Sequence, residues 1–133
     1  MVVSASQAPT IQSTNFTTIQ KNTIVGTTPI PDKGLKIDVI LDDLAMCESG
    51  NNPTAINWFD NGSPSYGRYQ FKATTLKMYA IMYNLLPDNL ELVDYASWAM
   101  DGDFSRLLAR KVILDGGANN WYNCLHNKDL SGI

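Results

Sequence analysis

The chain has 133 residues and a mass of 14.7 kDa, room for one domain that buries about two thirds of its unfolded surface. Hydrophobic residues make up 44%, and no apolar run approaches the roughly 18 residues that span a bilayer, so no transmembrane segment is expected. With 10 Lys and Arg against 13 Asp and Glu, the formal charge of -3 argues against nucleic acid, whose binders carry a basic face, and against electrostatic docking on an anionic membrane.

Residues 1–35 are rich in Thr, Ser, Gln and Pro, and only Lys21, Asp32 and Lys33 are charged. Thr27-Thr28-Pro29-Ile30-Pro31 holds two prolines that stiffen the segment and exclude helix, so residues 1–35 read as a linker or extended arm and 36–133 as the folded domain. The opening residues lack the basic start and apolar stretch of a complete secretion signal and match only the end of one.

From Lys36 the period becomes helical. Ile37, Leu41, Leu44 and Glu48 share one helix face, and Gly50 followed by Pro53 supplies the stop. Residues Asn51 to Gln70, rich in Asn, Gly, Ser and Pro, read as a polar loop or short β-hairpin. A second helix is predicted from Ala73 to Leu86, with Leu76, Tyr79, Ala80, Tyr83 and Leu86 as its stripe and Pro87 closing it. A short helix is expected over 89–100. Another runs from Asp103, its N-cap, to Asp115, with Phe104, Leu107, Leu108, Val112 and Leu114 mostly inward. The fold class is therefore mainly α, a small helical domain with one polar insertion.

Glu48 does not suit its place in this pattern. It extends a buried stripe, where a carboxylate is costly unless paired or neutral. It also falls in the last turn, where the helix dipole disfavours negative charge. Each effect penalises the ionised form and raises a carboxyl pKa. A carboxylic acid that keeps its proton near neutral pH is what general acid catalysis requires. The plainer alternative is a Glu at a helix end that bends to solvent or caps a loop.

The residues after it form an ordered pattern: Glu48-Ser49-Gly50-Asn51-Asn52-Pro53, Ala55, Asn57, Gly62-Ser63, then Ser65-Tyr66-Gly67-Arg68-Tyr69-Gln70-Phe71. This pattern resembles the lysozyme-like superfamily, in particular its lytic transglycosylase and resuscitation-promoting-factor branch, and more loosely the goose-type lysozymes. The resemblance spans about residues 37–125 and is closest over 46–71. It implies an α+β lysozyme-like fold and a secreted muramidase or lytic transglycosylase. Such a glycosidase cleaves the β-1,4 bond between N-acetylmuramic acid and N-acetylglucosamine in cell-wall peptidoglycan, without cofactor or metal.

Under that resemblance Glu48 protonates the glycosidic oxygen, and Ser65 and Gln70 hydrogen-bond sugar and acetamido groups. Tyr66 and Tyr69 offer faces for sugar rings, whereas Phe71 suits the core. Gly67 permits close backbone approach, to a ligand or to the Glu48 helix. Arg68 departs from the aliphatic residue common at its position, and either meets a substrate carboxylate or points to solvent. The Ala-Tyr-Asn motif of the larger transglycosylases is also absent, which favours a small single-domain enzyme.

Asp60 is the candidate second carboxylate, similar in placement to an Asp that helps position water in goose-type lysozymes; equally, Asp60-Asn61-Gly62 spells a turn. Without a second carboxylate, the substrate's own acetamido group can assist, giving a 1,6-anhydro product.

Asn120-Trp121-Tyr122-Asn123-Cys124 looks like the Trp-rich end of resuscitation-promoting factors, with Trp121 either core or sugar platform. Cys47 and Cys124 are either two buried thiols or a disulfide closing a loop of roughly 80 residues, which would contribute about 4 kcal/mol and suit an extracellular, cell-wall or periplasmic protein. Cys47, Cys124 and His126 are too few for a metal site, and His126, expected to be exposed, has no triad partner. The expected partner is the peptidoglycan glycan strand, met by a monomer. The competing function is a wall-binding module on the same fold.

Overall fold

Hydrophobic period, turn residues and one disulfide account for most of the architecture. The computed structural model describes residues 33–133, which belong to a unit running from Asp32 to Ile133. The arm expected over residues 1–35 lies outside the described residues, except for Lys33 to Leu35, which open the first helix. In chain order the elements are α1 (Lys33–Ser49), β1 (Ile56–Asp60), β2 (Ser63–Tyr66), α2 (Ala73–Met82), α3 (Leu92–Ala99), α4 (Gly102–Leu114), a 3₁₀ turn (Ala118–Trp121) and α5 (Tyr122–Leu125). The architecture is α+β and mainly helical, with one antiparallel hairpin where the polar insertion was expected.

The apolar stripe of α1 is buried as its spacing predicts, with Ile37, Leu41 and Leu44 wholly inaccessible. They pack with Leu76 of α2, Tyr95 of α3 and Leu108 and Val112 of α4 in one core. Across the outer side of the α1–α4 contact, Arg106 meets Asp42 at 2.8 Å and Arg110 meets Asp38 at 2.9 Å. Gly50 and Asn51 both adopt positive φ, at 66° and 64°. Gly50 N–H donates to the Met46 carbonyl and Asn51 N–H to the Ala45 carbonyl, each at 3.0 Å, which closes the helix and turns the chain toward the hairpin.

The hairpin turn is Asn61-Gly62, with φ of 51° and 89°, the left-handed pair that matches the twist of flanking strands. Ile56 pairs with Tyr66 and Asn57 with Ser65, and a bulge follows before Asp60 pairs with Ser63. Neighbouring pairs point to opposite faces of a sheet, so Asn57 and Ser65 share one face and Ile56 and Tyr66 the other.

Besides the earlier start of α1 and the shorter α3, three helix details differ from expectation. The second helix ends at Met82, not Leu86, because Asn84 takes φ 58° and forms a Schellman closure: Asn84 N–H bonds the Ile81 carbonyl at 2.9 Å and Leu85 N–H the Ala80 carbonyl at 2.8 Å. Asp101, not Asp103, caps α4, accepting from Phe104 N–H at 2.9 Å. Leu107 and Leu114 lie on the exposed side of α4, while Ser105, Ala109 and Ile113 face inward. Ser105 and Ala109 are small, and a search for large apolar side chains overlooks such inward positions.

Gly67 has φ 83°, and a Cβ on it would lie 1.9 Å from the Ala99 carbonyl oxygen. Its close approach is thus to the end of α3, neither to the Glu48 helix nor to an open cleft. Phe71 and Trp121 are both core, meeting edge to face at 5.4 Å, and Trp121 Nε1 donates to the Tyr69 carbonyl at 2.8 Å. Cys47 and Cys124 are bonded across a sequence separation of 77 residues. Among the described residues no helix is long and apolar enough to cross a membrane.

Candidate active site

Glu48 sits one residue before the end of α1 and borders a polar cleft of about 410 Å³. The near wall comes from the hairpin and the loop after it, through Asn57, Asp60, Ser65 and Gln70. Asn119, Asn120, Tyr122 and Asn123 form the far wall, with Phe71 and Trp121 between. The disulfide joins the residue before Glu48 to the residue after Asn123, so one covalent link ties acid and far wall together.

Ser49 explains part of the Glu-Ser-Gly run. Its hydroxyl donates toward the Arg68 carbonyl at 2.9 Å and the Ala45 carbonyl at 3.1 Å, and accepts from Asn52 N–H at 3.1 Å. The end of α1 is thereby tied to the segment that carries Gln70. Gln70 itself adopts φ 54°, and its amide nitrogen donates to the Gly67 carbonyl at 2.9 Å and toward Ala55 at 3.3 Å. With the nitrogen committed, the amide oxygen is left as the acceptor available to a ligand in the cleft.

The two carboxyl groups differ in surroundings. Glu48 is half-buried, and among the described residues no side chain hydrogen-bonds or pairs with its carboxyl. Burial pushes its pKa up first, and the negative charge of Asp60 adds to the effect. The second cause is therefore Asp60, where the sequence had pointed to the helix dipole. Asp60, by contrast, has partners: the wholly buried Ser65 donates its hydroxyl to Oδ2, and Lys72 Nζ stands 3.5 Å from the same oxygen. Among the described residues one acid is desolvated and without a hydrogen-bond partner, while the other is hydrogen-bonded and beside a cation, so the two carboxyls sit in unlike surroundings.

Of the residues singled out by sequence, Glu48, Asp60, Ser65 and Gln70 meet in this cleft. Tyr66, Arg68 and Tyr69 do not. Tyr66 follows Ser65 along a strand and so points to the opposite face. Tyr69 is wholly buried, its hydroxyl accepting from Arg106 at 3.2 Å, and burial raises its pKa. The guanidinium of Arg68 packs beside Gly102, where its buried Nε has no hydrogen-bond partner among the described residues. His126 is exposed, with Nδ1 3.0 Å from the Tyr122 carbonyl.

Sequence reasoning missed Lys72 and the asparagine-rich far wall. A signal for the wall existed: any bond between Cys47 and Cys124 must bring Asn123 near Glu48. Nothing comparable marked Lys72.

A second cleft of about 560 Å³ lies on the other face of the hairpin. It is apolar, with Ile56, Trp58, Pro64 and Tyr66 opposite Leu92, Val93 and Met100, and Lys72 reaches both clefts.

Comparison of the chain with protein-family models, curated proteins and solved structures finds no match.

Proposed function

We propose that this chain is a peptidoglycan-cleaving glycosidase of lysozyme-like fold, acting on the β-1,4 bond between N-acetylmuramic acid and N-acetylglucosamine with Glu48 as general acid. The observation that carries the reading is the half-buried Glu48 carboxyl, its pKa raised and without a hydrogen-bond partner among the described residues, on the border of a cleft lined mostly by hydroxyl, amide and carboxylate groups, with Lys72 as its cation. Neutral amides and hydroxyls both donate and accept, which suits a sugar chain better than an ion. A protonated acid beside a bound glycosidic oxygen supplies the proton that the departing sugar needs. The amide oxygen of Gln70 and the far-wall asparagines receive hydroxyl and acetamido groups. Asp60 stands ready to direct a water molecule or to stabilise positive charge at the sugar ring.

The enzyme works as a monomer outside the cytoplasm, in the cell wall, periplasm or medium, a setting that the disulfide supports. The test is mass spectrometry of purified peptidoglycan after digestion by wild type and by Glu48→Gln. Reducing-end muropeptides that vanish in the variant mark a hydrolytic muramidase, and anhydro-muropeptides mark a lytic transglycosylase. No soluble product from wild type overturns the reading and leaves a wall-binding module.

A further inference from the structure

Lys72, the residue before α2, makes three contacts with one ammonium group. Its Nζ stands 3.5 Å from Asp60 Oδ2, donates to the Asp60 backbone carbonyl, and donates to the Ser63 carbonyl at 2.9 Å. The same charge therefore holds a carboxylate and both ends of the Asn61-Gly62 turn. The lysine backbone is itself anchored, extended at φ -75° and ψ 147° between the buried Phe71 and the first turn of α2.

The groups around Asp60 are few. Glu48 faces it from α1 with a like charge, the Ser65 hydroxyl reaches it from β2, Asn61 Nδ2 lies 3.4 Å away, and Lys72 supplies the cation. Across the cleft the far wall offers neutral asparagines and the Tyr122 phenol. Among the described residues Lys72 is the cation in contact with this carboxylate.

We propose that Lys72 is a positioning residue acting through Asp60: it fixes that carboxylate in the cleft and supplies its counter-charge, so that Glu48 is the carboxyl that carries the proton. The inference rests on the glycosidase reading for its role in catalysis, while the charge arrangement is measurable without turnover. A cation held against one of two carboxyls in a cleft favours the ionised form of that one, which leaves the more desolvated partner as the better holder of a proton. A lysine that merely staples the turn would do none of this.

Charge and stapling are separated by Lys72→Gln, which keeps a donor for the two carbonyls and loses the charge, and Lys72→Arg, which keeps the charge. Carboxyl ¹³C NMR follows the Glu48 and Asp60 titrations in each protein, alongside the pH profile of peptidoglycan cleavage. Loss of a positive charge beside the pair favours protonation of both. In Lys72→Gln the titrations and both limbs of the activity profile should move to higher pH, with kcat about tenfold lower on the acid side of the optimum. Lys72→Arg should restore the wild-type profile. Titrations that stay in place in Lys72→Gln overturn the assignment, as does equal damage in both variants with an unmoved profile. A wild-type protein that titrates as expected but fails to cleave peptidoglycan overturns the glycosidase reading and leaves the charge arrangement standing.

Discussion

The two faces of the β1–β2 hairpin are built from alternate residues of the same strands, yet they offer unlike surfaces. One face carries Asn57 and Ser65, with Asp60 beyond the bulge, into a cleft bordered by the half-buried Glu48. The other turns Ile56, Trp58, Pro64 and Tyr66 toward the apolar side chains of α3. The strand period of two is enough to separate them, so adjacent residues in a motif need not serve one site. The polar face is the one that suits the proposed chemistry, because an acid with a raised pKa borders it and the apolar cleft has no carboxyl among its described lining residues.

The strongest challenge to that assignment is Glu48→Gln. Cleavage should fall by about 10²–10⁴-fold, the range attributed to general acid catalysis, while the fold remains. Stability should move the other way. Because burial and Asp60 raise the Glu48 pKa, the folded state prefers the protonated carboxyl, and its ionisation costs stability as pH rises through the folded value. The glutamine variant should melt higher than wild type at neutral pH, and the difference should vanish below the ordinary carboxyl range, where both side chains are neutral. Calorimetry at the two pH values tests the sign; a lower melting temperature for the variant at neutral pH would contradict the burial argument.

Next in size is removal of the disulfide. Replacing Cys47 and Cys124 by serine frees a loop spanning 77 positions and should cost about 4 kcal/mol in the chain-entropy model. It should also release the far wall of the polar cleft while leaving the apolar cleft intact. Denaturant melts measure the first effect. Raised KM for peptidoglycan, with the protein still folded, measures the second.

Gly67→Ala acts where the hairpin passes α3. A Cβ 1.9 Å from the Ala99 carbonyl, on a residue with φ 83°, forces the backbones apart and should cost about 1–3 kcal/mol. Both clefts include residues next to this contact, so both should be disturbed. An unchanged denaturation midpoint would mean that the hairpin moves freely against α3.

Much of this molecule could be read before its coordinates, for reasons that particular residues make clear. The α1 stripe was legible because Ile37, Leu41 and Leu44 repeat at helical spacing and have no competing signal. The hairpin turn was legible because Asn-Gly suits two successive left-handed residues. Tyr66, Arg68 and Tyr69 were assigned to the cleft because they are contiguous with Ser65 and Gln70. Strand alternation removes the first, and the reversal at Gly67 turns the other two toward α4. Lys72 escaped notice because its value depends on a register that only the paired strands define. The end of α2 was misjudged because Pro87 is a visible stop, whereas Asn84 stops the helix earlier by adopting a conformation that asparagine merely tolerates.

The smallest expected effect tests the other half of the comparison. Trp58 is 60% exposed on the apolar face, so Trp58→Ala removes a side chain that is mostly in water already. Its stability cost should stay near the roughly 0.5 kcal/mol typical of surface substitutions, and cleavage of peptidoglycan should change by less than about twofold. Ser65→Ala, opposite Asn57 on the polar face, should do more, because it strips Asp60 of a hydrogen bond from a fully buried hydroxyl. Steady-state kinetics on the same peptidoglycan preparation compares the two. A Trp58 variant that loses as much kcat/KM as the Ser65 variant would mean that substrate reaches around the hairpin edge past Lys72, and that the two faces form one extended site.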